Sequence, residues 1–169
     1  MKKLIALLII LLSGIPDTIA GDWQKTFVKD EFGVPDRSKP IYIVILESPE
    51  NYRGLVSVAF ANGTFILQFV DEDKKLYNVH SMKVKTTRGN VSEIKFHEAE
   101  KGILTIDSDY EPMFVDLLDN GNFYVSIKNR DTHTGKLTNH SFHIRRQTTG
   151  IRDILEADGW YYPAMHSDF

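Results

Sequence analysis

The stretch Val56-Ser57-Val58-Ala59-Phe60-Ala61-Asn62-Gly63-Thr64-Phe65-Ile66-Leu67-Gln68-Phe69 decides the fold class. Asn62 and Gly63 both tolerate positive φ, as a two-residue type I′ hairpin turn demands. Folding about that turn sets Phe60 against Phe65, Val58 against Leu67 and Val56 against Phe69. One face of the hairpin then carries only large apolar side chains. The other carries Ser57, Ala59, Ala61, Thr64 and Gln68. Turn chemistry and hydrophobic pattern select the same register, because a slip of one residue would send every apolar side chain to the opposite face.

Working outward, Ile41 to Leu46 reads IYIVIL, an apolar run that predicts a strand buried on both faces. Upstream, Trp23 to Asp30 is a candidate strand, ended by Gly33 and Pro35. In the DEFGVP corner, Asp30 is placed to bond the turn backbone, Gly33 to take positive φ and Phe32 to plug one end of the core. Downstream, Arg88-Gly89-Asn90 predicts a three-residue loop that pairs Val84 with Ile94, Met82 with Phe96 and Lys85 with Glu93, and leaves Lys83 opposite Lys95. Gly102 turns the chain into a strand over Ile103 to Asp107. Asn122 to Asn129 sets Phe123, Val125 and Ile127 on one face. After the polar loop Asp131 to Lys136, Leu137 to Arg146 returns with Phe142 and Ile144 facing in.

Two segments have helical spacing. Glu111 to Leu118 places Pro112 in a first turn and Asn120-Gly121 at the stop. Gly150 to Asp158 has an Ile151, Ile154, Leu155 stripe, with Thr149 positioned as its cap. The chain is therefore read as mainly β: an antiparallel β-sandwich or partly open barrel of about eight strands, with one or two short helices, one of them C-terminal.

The 169 residues suit a single core, with 42% hydrophobic and 25% charged residues in the ordinary globular range. The net charge of −3 gives no basic excess that would argue for nucleic acid. The absence of cysteine excludes disulfides, thiol catalysis and Cys-based zinc sites. Residues 1–20 have the three parts of an export signal: Lys2-Lys3, the apolar run Leu4 to Leu12, and Thr18-Ile19-Ala20 at a cleavage point. Nine apolar residues fall short of the roughly 20 that span a bilayer. The expected mature chain is a single β-rich domain, residues 21–169, periplasmic or secreted from a bacterium, with no stable membrane insertion after signal cleavage.

The six histidines, His80, His97, His133, His140, His143 and His166, show no metal-ligand spacing. His80 and His97 face each other only if the second hairpin brings them together. His140 shares a face with Phe142 and Ile144 and reads as a core or edge residue. Asp107, Asp109 and Glu111 in DSDYEP resemble the start of a calcium loop, but Pro112 stands where that loop needs glycine and Leu118 where it needs glutamate. A solvated turn capping the helix is the expectation there. Serine-nucleophile and phosphate-loop motifs are missing. No catalytic residue, metal site or cofactor is assigned. The candidate binding residues are Trp160, Tyr161 and Tyr162, since adjacent Trp and Tyr bring large contact area with polar edges.

Trp23, then Asp30-Glu31-Phe32-Gly33-Val34-Pro35, then Ile41-Tyr42-Ile43, resembles the opening of small exported proteins of gut Bacteroidales. That resemblance implies export and assigns no activity. The functional expectation is a non-enzymatic binding or interaction module with an envelope or secreted protein partner. The alternatives are a hydrolase of envelope or dietary polymers and a small-ligand carrier with a barrel cavity.

Overall fold

A computed structural model describes residues 23–30, 32–47, 55–71, 73, 75–100, 102–145 and 150–162. Segment 1–20, read above as an export signal, lies outside them, as does Thr149. Strands make up about 55% of the described residues, in two antiparallel sheets that do not close into a barrel. The six-stranded sheet has the order β1-β2-β3-β4-β8-β7 and the four-stranded sheet β10-β9-β5-β6. The strands are β1 (Gln24–Lys29), β2 (Pro35–Glu47), β3 (Leu55–Ala61), β4 (Thr64–Val70), β5 (Val79–Thr86), β6 (Val91–Ile94), β7 (Phe96–Glu100), β8 (Ile103–Ile106), β9 (Phe123–Arg130) and β10 (Leu137–Ile144). A 3-10 turn at Ser108–Tyr110 leads into helix α1 (Glu111–Asn120), and helix α2 (Ile151–Ala157) follows β10.

The β3–β4 hairpin forms as the sequence predicts. Phe60 pairs with Phe65, Val58 with Leu67 and Val56 with Phe69. Asn62 and Gly63 take φ of 51° and 76°. The main core lies between the sheets. Phe65 meets Phe114 of α1 at 5.4 Å, Phe114 meets Phe123 at 6.5 Å, and Phe69 meets Phe142 at 5.2 Å. The apolar β2 run is buried as expected over Ile41 to Val44. Its alternate residues Ile41 and Ile43 join Ala59, Ala61, Ile66 and Ile103 in a second, smaller cluster.

Four sequence readings are corrected. Pro35 does not end pairing; it opens β2, opposite Lys29. The first residue of a strand is where a missing N–H is tolerated. Asp30 Oδ1 accepts from the N–H groups of Phe32 (2.9 Å) and Val34 (2.8 Å), and Gly33 has φ 79°, but Phe32 is 83% exposed and plugs nothing. The turn holds the corner by itself, without help from that ring.

The β5–β6 loop lies one residue earlier than expected, at Thr87-Arg88-Gly89. Met82 pairs with Ile94, Lys83 with Glu93 and Lys85 with Val91. Thr86 N–H bonds Asn90 C=O at 3.0 Å. A three-residue hairpin needs its last residue left-handed, and Gly89 has φ 92°. This register also sets Lys83 against a carboxylate in place of Lys95. Phe96 does not face Met82 at all: the chain changes sheets at Lys95, and β7 pairs with β8. That crossover helps raise the strand number from about eight to the ten among the described residues.

Phe114 is 2% exposed between two other rings. Phe114→Ala is expected to cost about 3–5 kcal/mol in urea denaturation. The exposed Tyr161→Ala should stay within about 0.5 kcal/mol of wild type in the same measurement.

Candidate functional site

The expected binding residues lie just after α2. Gly159 (φ 83°) turns the chain, and Trp160 N–H closes the helix end on Leu155 C=O at 2.9 Å. From there the backbone is not helical, and alternate side chains take the same side. Trp160 and Tyr162 turn toward the β3–β4 hairpin, and Tyr161 turns away. Trp160 stands edge-on to Phe60 at 5.5 Å, and its ring covers Gly63, where a Cβ would lie 2.7 Å from it. Tyr162 is edge-on to Phe60 at 6.1 Å. Trp160 remains 37% exposed and Tyr161 75%. The structure thus brings two of the three aromatics onto one hairpin and leaves the third in solvent. Pro163 lies outside the described residues.

A polar knot underlies the tail. Arg152 of α2 donates from Nε to Asp119 Oδ2 at 2.9 Å, and its backbone N–H donates to Asp119 Oδ1 at 3.0 Å. Its guanidinium also donates to Asp116 Oδ1 and to the carbonyl oxygen of Tyr162. The N-cap of α2 is Gly150, which has no side chain to offer. Asp119, carried by α1, bonds the first turn of α2 in its place. A Cβ on Gly150 would come within 2.9 Å of that carboxylate oxygen. The tail's hydroxyl completes the knot: Tyr162 Oη donates to Glu111 Oε2 at 3.0 Å.

Glu111 is buried, against the expectation of a solvated helix cap. Burial pushes its carboxyl above the usual range, opposed by hydrogen bonds from Tyr162 Oη and the backbone N–H of Phe65. Burial also pushes the Tyr162 phenol up, with the Glu111 charge adding to the shift. Chemically the knot is a clamp: one guanidinium answers two carboxylates, and the third carboxyl holds a phenol. A crevice of about 250 Å³ opens beside it, lined in part by Thr86, Arg88, Asp116 and Asn120.

The histidines are spread out. His80 contacts Arg130 at 3.1 Å in one sheet, while His97 pairs with Asp107 at 2.7 Å beside the other, so the suggested pair does not form. His140 packs on Tyr77 at 4.6 Å, and burial lowers its pKa, in line with a core-edge role. His166 lies outside the described residues. Among the described residues no three His, Asp or Glu side chains converge as metal ligands. Sequence reasoning missed Glu111, Asp116, Asp119 and Arg152 as a group. Asp116 and Asp119, at i and i+3 on one helix face, were the available signal. Their partner lies over 30 residues away, and only the packing of α2 on α1 supplies it.

No protein-family model, curated protein or solved structure matches the chain. Fold and site define it as a two-sheet antiparallel β protein whose Trp160 to Tyr162 segment packs onto the β3–β4 hairpin. Among the described residues no helix is long and apolar enough to cross a membrane.

Because the folded state raises the pKa of Glu111, it holds that proton more tightly than the unfolded chain does. The resulting stability is present below the unfolded value, near 4.5, and is lost as pH rises through the folded one. Glu111→Gln cannot titrate. Its melting temperature should therefore gain on wild type as pH rises from about 4 to about 7; parallel pH profiles would refute the assignment. Gly63→Ala and Gly89→Ala both strain a positive φ, but only Gly63 lies under Trp160. Gly63→Ala should lower the melting temperature more, and the excess should disappear in a Trp160→Ala background.

Proposed function

We propose that this chain is an exported bacterial protein that acts as a non-enzymatic binding module, periplasmic or secreted, working through its outer surfaces on an envelope or secreted macromolecule. The observation that carries the reading is the close packing between the sheets among the described residues. A void there, bordered by Phe69, Met82, Phe114 and Phe123, measures about 10 Å³, far below the few hundred Å³ of a small-ligand site. Asp116, Asp119 and Glu111 beneath the tail are held by Arg152 and Tyr162. That arrangement suits a structural clamp better than a hydrolytic pair free to exchange protons with a substrate. Export rests on the tripartite segment 1–20 and on the likeness of the DEFGVP opening to exported Bacteroidales proteins.

The tail of Trp160, Tyr161 and Tyr162 is the proposed contact. Trp160 and Tyr162 hold the tail to the hairpin, and this fixes Tyr161 outward with most of its ring in solvent. A tyrosine has only two side-chain torsions to lose on binding, which favours it as an anchor.

The test is capture of envelope and medium components by tagged residues 21–169, with Tyr161→Ala beside it. Wild type should retain a partner that Tyr161→Ala retains several-fold less well, with both proteins equally folded by circular dichroism. Equal capture by the two would remove the tail from the interface, and no capture by either would count against the module itself.

A further inference from the structure

The four-stranded sheet turns Met82, Val84, Val125, Ile127 and Phe142 inward, so its other face lies in solvent. Strand pairing arranges that outer face in rows. Lys85, Tyr124 and His143 form one row across β5, β9 and β10. Lys83, Ser126 and Ser141 form the next, and Ser81, Lys128 and Asn139 the third. Successive rows lie about 7 Å apart along the strands. On β6, Val91 stands beside Lys85 and Glu93 beside Lys83. Glu93 is the one carboxylate among these positions, against three lysines, with Arg130 further along β9. A chain of net charge −3 thus gathers cations on one sheet face.

Two further features shape the surface. Tyr124 stacks on His143 with ring centroids 4.5 Å apart and planes at 15°, and it is still 37% exposed. An open groove of about 340 Å³ runs between Lys83, Lys85, Val91, Tyr124, Ser126 and Ser141. Cations, hydroxyls and a braced aromatic therefore line the same depression.

We propose that this face docks an anionic polysaccharide, a polymer of uronic-acid type. The inference deepens the binding-module reading and rests on it. Charge complementarity selects an anion, and the lysines stand at separate rows suited to charges repeated along an extended chain. The serine hydroxyls and the Asn139 amide can exchange hydrogen bonds with sugar hydroxyls. Tyr124 gives the apolar side of a ring something to lie against. Single-stranded nucleic acid fits less well. It calls for several aromatic platforms for successive bases, whereas the rows of this face carry one aromatic pair, Tyr124 with His143.

The test uses residues 21–169 in affinity electrophoresis through polygalacturonate, with neutral dextran as control. Wild type should be retarded by polygalacturonate and not by dextran, and retardation should weaken as salt rises. Lys85→Glu with Lys128→Glu should weaken binding by about tenfold or more, because both sites face only neutral cross-strand neighbours and the reversal attacks charge alone. Lys29→Glu on β1 of the other sheet should bind as wild type does. Equal retardation by dextran, undiminished binding by the folded double variant, or preference for a thymidine oligonucleotide or for phosphatidylglycerol vesicles would overturn the proposal. Failure to bind polygalacturonate while a partner is still captured through Tyr161 sinks this inference alone. Failure of both sinks the module reading with it.

Discussion

The inner face of the β3–β4 hairpin is the surface on which the other elements rest. Phe65 receives Phe114 from α1, Phe69 receives Phe142 from the second sheet, and Phe60 receives Trp160 and Tyr162 from the tail. Each pair joins elements distant in the chain, so each must offset a large loss of chain entropy. The hairpin can act as organiser because its own closure is local. A two-residue turn aligns its rings at small entropic cost, and the rest of the protein then has a preformed face to meet.

The second constraint is polar. Helix α2 has seven residues and no capping side chain of its own, too short to persist alone. It is held by burial of Ile151 and Leu155 and by Asp119 reaching from α1 to its first turn. Arg152 ties that contact to Asp116 and to the tail backbone. The aromatic tail is thereby docked at both levels, with rings against the hairpin and peptide against the guanidinium. Tyr161, between the two docked rings, lies mostly in solvent.

Much of the fold was legible because its signals are local. Asn62-Gly63 fixes a turn by backbone conformation, and the alternation in Phe123, Val125 and Ile127 fixes a face by the strand period. The errors fall where a local signal had more than one continuation. Thr87-Arg88-Gly89 and Arg88-Gly89-Asn90 both contain the needed glycine, and only the place of the left-handed residue within the loop separates them. Phe96 fits an apolar position on β5's partner, yet the chain leaves that sheet at Lys95. Phe32 was read as core from its type alone, although a tight Asp30 turn needs no buried anchor.

By itself the sequence determined the class of architecture, the central hairpin with its register, both helices and the run of aromatics in the tail. These follow from turn chemistry and from periods of two and of about 3.6 residues, which act over a few neighbours. Only the tertiary structure decided which strands share a sheet, that Glu111 is buried, that Arg152 answers Asp116 and Asp119, and that Lys85, Lys83 and Lys128 line one face with Tyr124. These depend on the packing of segments tens of residues apart. Many pairings satisfy the same local pattern, and the one adopted is the one that seals the apolar faces together while giving the buried Glu111 and Asp116 their partners in Tyr162 and Arg152.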